Sequence, residues 1–110
     1  MANAYKRLGA TAVTADTDTA LYTCPASTET IVSSIVVCNR GTSQRTYRIA
    51  HVDGAVGDVA TADYIAYDTT INPNATTVLN IGVAMEAADT ILVRANHADV
   101  NFLAHGVEKT

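Results

Sequence analysis

The spacing of turn-forming residues constrains this chain more than any other feature. Short apolar or alternating blocks are cut roughly every eight to twelve residues by Gly, Pro, Asn, Asp or Ser, which is the pattern of a sheet folded on itself. No segment keeps a 3.6-residue apolar period, so a parallel sheet with crossover helices is disfavoured. The expected fold class is all-β, an antiparallel β-sandwich of about seven to eight strands, immunoglobulin-like or jelly-roll-like.

The blocks that predict strands are residues 5–13 (interrupted by Gly9), 20–24, 29–39, 45–52, 64–70, 76–81, 90–96 and 100–104. Ile31, Val32, Ile35, Val36, Val37 and Cys38 would cover both faces of the third, which predicts a central strand buried on both sides. After the turn cluster Asn39-Arg40-Gly41-Thr42-Ser43, the block 45–52 reads as its hairpin partner. Pro25 stops the second strand and Gly82 the sixth. One helical turn is expected near Val59 to Asp63, and His97-Ala98-Asp99 connects the last two strands.

A length of 110 residues suits one domain, 1–110, with 1–9 as an extended N-terminal arm or edge strand available for donation to a neighbour. Charged residues make up 16% of the chain against an average of roughly 25%, so its surface is cheap to desolvate against protein. The net charge of −4 and seven scattered Lys and Arg residues argue against nucleic acid, which needs a phosphate-tracking basic stripe. No apolar run approaches the roughly 18 residues that cross a bilayer, so no membrane is expected. Met1 to Arg7 are not followed by an apolar signal core, which predicts folding in a cytoplasm. Cys24 and Cys38 are then expected as thiols rather than a disulfide, with Cys38 a small buried hydrophobe.

Candidates for chemistry are few. His51, His97 and His105 lack HxH or HExxH spacing, so no metal is expected. Asp16 and Asp18 lack the glycine and the bidentate Glu of a calcium loop and read as solvated, as do Asp53, Asp58 and Asp63. Gly54 and Gly57 have no following Lys to make a phosphate cradle. Ser33 and Ser34 lack GxSxG surroundings and read as space-savers in a packed sheet. Asn74-Ala75-Thr76 reads as a turn entering a strand rather than a glycosylation site. No catalytic residue and no cofactor are expected. The tyrosines carry more weight, because a large ring with a polar tip suits either an interface or a core edge. Tyr5, Tyr22, Tyr64 and Tyr67 are the interface candidates, with Tyr47 beside them in the sequence pattern.

Three ordered stretches, Leu21-Tyr22-Thr23-Cys24-Pro25-Ala26, Val32 to Gly41 and Tyr47-Arg48-Ile49-Ala50, resemble a family of small virion proteins of tailed bacteriophages. Asp63-Tyr64-Ile65-Ala66-Tyr67-Asp68, Gly82 and Asp89 to Ala95 extend the resemblance over most of the chain. Met85 departs from it, standing where related sequences tend to have an aliphatic residue. The resemblance implies a non-enzymatic structural component of the particle: a capsid decoration or cement protein, a tail or baseplate accessory, or a fibre-associated module. It implies a virion location, other virion proteins as partners and no transferred catalytic residue. Repeated subunits of a symmetric particle lead us to expect a homo-oligomer. The alternative expectation is a glycan-binding module at a fibre tip, with Tyr64, Tyr67 and nearby Asp residues as a stacking site.

Overall fold

The alternating blocks become eight strands in the computed structural model, which describes residues 3–110. In order they are β1 (Asn3–Ala12), β2 (Thr19–Thr23), β3 (Glu29–Asn39), β4 (Arg45–Val52), β5 (Tyr64–Ile71), β6 (Thr76–Met85), β7 (Thr90–Ala95) and β8 (Val100–Lys109). β1 pairs with β8, β2 with β7, β3 with β6 and β4 with β5, all antiparallel. The chain is therefore a long hairpin, doubled back between β4 and β5 and rolled up. Two further pairings, β8 with β3 and β7 with β4, close the roll into sheets ordered β1-β8-β3-β6 and β2-β7-β4-β5. This winding is that of a jelly roll; an immunoglobulin sandwich distributes its strands differently.

One expected connection is corrected. β3 and β4 do not form a hairpin, because the chain passes from one sheet to the other between them; the link His97-Ala98-Asp99 between β7 and β8 is a second such corner. At the first corner the buried Asn39 amide donates to the carbonyls of Ser43 (2.8 Å), Ile71 (3.3 Å) and Asn72 (3.2 Å), and its Oδ1 accepts from the Gly41 amide (3.0 Å). One side chain thus satisfies backbone groups that a hairpin ladder would otherwise take up. Two strand ends also move. β6 continues through Gly82 to Met85 and β8 reaches Lys109, since long β3 offers ladder partners to both.

The core lies between the sheets, where Val32, Ile35, Val37, Ile49, Ile91, Val93 and Phe102 are fully buried and Tyr47 meets Phe102 edge-on at 6.1 Å. β3 is central in its sheet but is buried on one face only. Thr30, Val32, Ile35, Val37 and Asn39 point inward, while Ile31 is 54% exposed. An antiparallel sandwich needs only one covered face per sheet, so the apolar run did not imply two. A register shift between Val32 and Ser34 leaves Ser33 exposed, its hydroxyl donating to the His105 carbonyl at 3.2 Å, so Ser33 is a bulge residue rather than packing filler. Cys38 is half-buried on the outer face rather than in the core, Cys24 is buried, and both are free thiols. From Asn3 onward the expected arm is an edge strand of its own sheet, paired to β8; Met1 and Ala2 lie outside the described residues.

Between β4 and β5 the chain makes two short 3-10 turns, Val56–Asp58 and Thr61–Asp63. Asp58 and Asp63 accept from the Ala55 and Ala60 amides at 3.1 and 2.8 Å, so these carboxylates cap turns. Val56, Val59 and Tyr64 lie against buried Ala50, Val52 and Leu92, forming a second small apolar cluster. The outer face of β2-β7-β4-β5 is in this way covered by the protein's own loop at the end that carries Ala50, Val52 and Leu92.

Candidate functional site

The outer face of the other sheet, β1-β8-β3-β6, carries no such cover among the described residues. Directly opposed residues in antiparallel strands share a face, so the register gives its composition row by row. Tyr5, Val107, Ile31 and Ala84 form one row across all four strands. Ala10, Leu103, Val36 and Val78 form a second. Between them runs a polar row of Arg7, His105, Ser34 and Asn80, and one end is marked by Asn3, Lys109 and Glu29. Tyr5 is 85% exposed and Val78 52%, so the rows are offered to their surroundings. Around the first row lies a shallow groove of about 740 Å³ that also takes in Met85 and Glu86. Exposed apolar rows alternating with polar ones on a rigid sheet supply both the contact area and the polar partners that a protein-binding surface uses.

The four tyrosines expected at interfaces divide. Tyr5 stands fully out on the open face. Tyr22 is a correction: it is buried, because the register shift after Ala20 places both Leu21 and Tyr22 in the interior. Its hydroxyl lies 2.8 Å from Thr30 Oγ1 and donates to Glu108 Oε2 at 2.5 Å, and Lys6 Nζ meets Glu108 Oε1 at 2.6 Å. Burial, then the Glu108 carboxylate, pushes the Tyr22 phenol well above its ordinary pKa. The Lys6 ammonium, then the Tyr22 hydroxyl, hold the Glu108 carboxyl below its ordinary range.

Tyr64 and Tyr67 do come together, on edge strand β5 as the block 64–70 predicts. Their rings meet edge-on at 4.8 Å, Tyr67 is 57% exposed, and both line a groove of about 410 Å³ with Val59, Ala60 and Thr61. The Arg48 guanidinium sits 4.1 Å from the Tyr67 ring centre and grips Asp68 through two hydrogen bonds of 2.7 and 3.1 Å. The hydrogen bond from Arg48 holds the Asp68 carboxyl low and raises the guanidinium in turn.

The remaining polar candidates serve the fold. Asp18 is held by Arg94 Nη1 at 3.3 Å, and Asp99 Oδ2 is met by Arg45 Nη2 at 3.3 Å and His97 Nδ1 at 3.1 Å. Asp89 Oδ2 lies 2.9 Å from His51 Nε2 and accepts the Glu86 amide at 3.1 Å. Burial alone would raise the Asp89 carboxyl, but the hydrogen bonds from His51 and Glu86 outweigh it and hold the group low. Among the described residues no three His, Cys, Asp or Glu side chains converge as a metal site, and no helix is long and apolar enough to cross a membrane.

Sequence reasoning passed over the open face. Ile31 falls in a block that predicts a doubly buried strand, and Val107 lies beyond the predicted end of the last one. Alternation shows that a strand has two faces; it does not show which of two moderately apolar faces will be covered. No family model matches this chain, and comparison with curated proteins returns no match.

Proposed function

We propose that the protein is a non-enzymatic structural subunit of a tailed-phage virion, holding neighbouring subunits as a capsid decoration or tail accessory protein. The observation that carries this reading is the open β1-β8-β3-β6 face, with two apolar rows exposed on a rigid sheet. Such a surface supplies contact area that salt does not screen. The resemblance of the ordered motifs to small virion proteins of tailed bacteriophages is in keeping with it, and the jelly roll adds an analogy only, since that fold recurs in viral capsid and lectin domains. The polar side chains support a structural role from the other side: Asp18, Asp58, Asp63, Asp68, Asp89, Asp99 and Glu108 are occupied in caps and ion pairs within the fold.

Quantitative mass spectrometry of purified tailed-phage particles made by a genome that encodes this chain tests the reading. Hundreds of copies per particle identify capsid decoration and a handful identify the tail. Absence from the particles refutes the proposal.

The Tyr64–Tyr67 groove favours a second reading, a carbohydrate site in which the rings pack against a sugar face. Against it, Arg48 already covers one face of Tyr67 and engages the nearest carboxylate. A glycan array with a binder that Tyr67→Ala abolishes would establish it; an array without binders removes it.

A further inference from the structure

Resting on the reading of this sheet face as a subunit contact, we propose that its occupant is a second copy of the chain, docked face to face about a two-fold axis that runs along the strands between β8 and β3. The argument is complementarity within the face. Rotation about that axis lays each residue of β1 and β8 over the residue of β6 or β3 that stands in the same row. Lys109 is then brought onto Glu29 of the second copy, Val107 onto Ile31, and the large Tyr5 onto the small Ala84, and each contact occurs twice. Opposite charges meet, aliphatic meets aliphatic, and the most protruding ring meets the shallowest position.

The other two-fold in the plane of the face, running across the strands, fails the same test. It would stack the central row on itself, setting Arg7 against Arg7 of the second copy, and would leave Lys109 and Glu29 over uncharged residues. The contact area is adequate. Four strands about 4.8 Å apart and about ten residues long at ~3.3 Å each present roughly 600 Å² per copy, or about 1,200 Å² in the pair, within the range of specific complexes. The axis keeps the two sheets aligned, the arrangement in which twisted sheets pack.

Sedimentation equilibrium of the purified full chain tests this with charge swaps at exposed positions. Wild type is expected to dimerise. Lys109→Glu alone and Glu29→Lys alone should each weaken dimerisation on the order of tenfold, because both copies of the contact become repulsive. Mixing the two singly substituted chains should restore it to near the wild-type value, since each contact across the axis then joins opposite charges again. That recovery cannot come from the Lys109–Glu29 neighbourhood within one chain, which mixing leaves unchanged. Ile31→Asp should reduce dimerisation by at least about a hundredfold, with thermal melting confirming that the variant folds.

A wild-type chain that stays monomeric at millimolar concentration, a mixture no tighter than its components, or a dimer indifferent to Ile31→Asp overturns the proposal. The virion reading fails separately. A monomer found in particles removes the pairing alone, and a dimer with the expected swap pattern that is absent from particles removes the virion reading alone.

Discussion

Replacing Tyr22 by Phe deletes one hydroxyl from the polar network that closes one end of the core, and its cost follows from what is left behind. The hydroxyl bridges Thr30 Oγ1 and Glu108 Oε2, while Glu108 keeps Lys6, and Thr30 keeps Cys24 Sγ at 3.3 Å. No partner is wholly stranded, so the loss sits at the low end of the range for a hydrogen bond to a charged group, about 1.5 kcal/mol. With a urea m-value of about 1.5 kcal/mol/M the midpoint should fall by roughly 1 M. The loss should also depend on pH. Glu108 titrates below its ordinary range in the folded chain, so its contribution is full above the unfolded carboxyl pKa of about 4.3 and fades as pH falls through the lower folded value. The gap between wild type and Tyr22→Phe should therefore be widest at neutral pH and narrow below about pH 4. Urea titrations of both chains at pH 7 and pH 3, repeated in a Glu108→Gln background, read this directly. A loss under about 0.5 kcal/mol at pH 7, or an equal loss at both pH values, would refute the assignment of a charge-assisted bond.

Ala88 holds a φ of +73° in the turn before β7, where its amide donates to the Cys24 carbonyl at 2.9 Å. Ala88→Gly should raise stability by about 0.5 kcal/mol, the relief of left-handed strain exceeding the added entropy of the unfolded chain, and a lower melting temperature would contradict this. Gly106 lies so close to β3 that a Cβ there would sit 2.1 Å from the Ile31 carbonyl oxygen. Gly106→Ala should cost about 3 kcal/mol or more in denaturant titration, because the obstacle is backbone; wild-type stability would mean the strands can separate locally at little cost.

Much of the strand pattern could be read from the chain, and particular residues show where the reading stopped. Thr76 to Ile81 alternate as an isolated strand would, yet Gly82 does not end β6: the register with β3 skips Ile81 and Gly82 at a bulge, where a glycine is well suited, and pairing resumes at Val83. Tyr22 reads as an interface candidate because a large ring with a polar tip suits an interface or a core edge alike, and only the register shift in β2 turns it inward beside Leu21. Tyr64 and Tyr67 were visible as a pair; the Arg48 guanidinium that caps one of them comes from a strand whose pairing with β5 the sequence does not state.

Alternation, turn residues and the lack of helical periodicity determine by themselves that this chain folds as antiparallel β-structure, because they express local backbone preference and the two-residue period of a strand. Which strands share a sheet is decided only in three dimensions. A short connection such as 40–44 serves a hairpin or a sheet-to-sheet corner equally well, and the buried Asn39 amide selects the corner. The same closure covers part of one outer face with the loop of Val56 and Val59 and leaves the other, with Tyr5, Ile31 and Val78, open for contact.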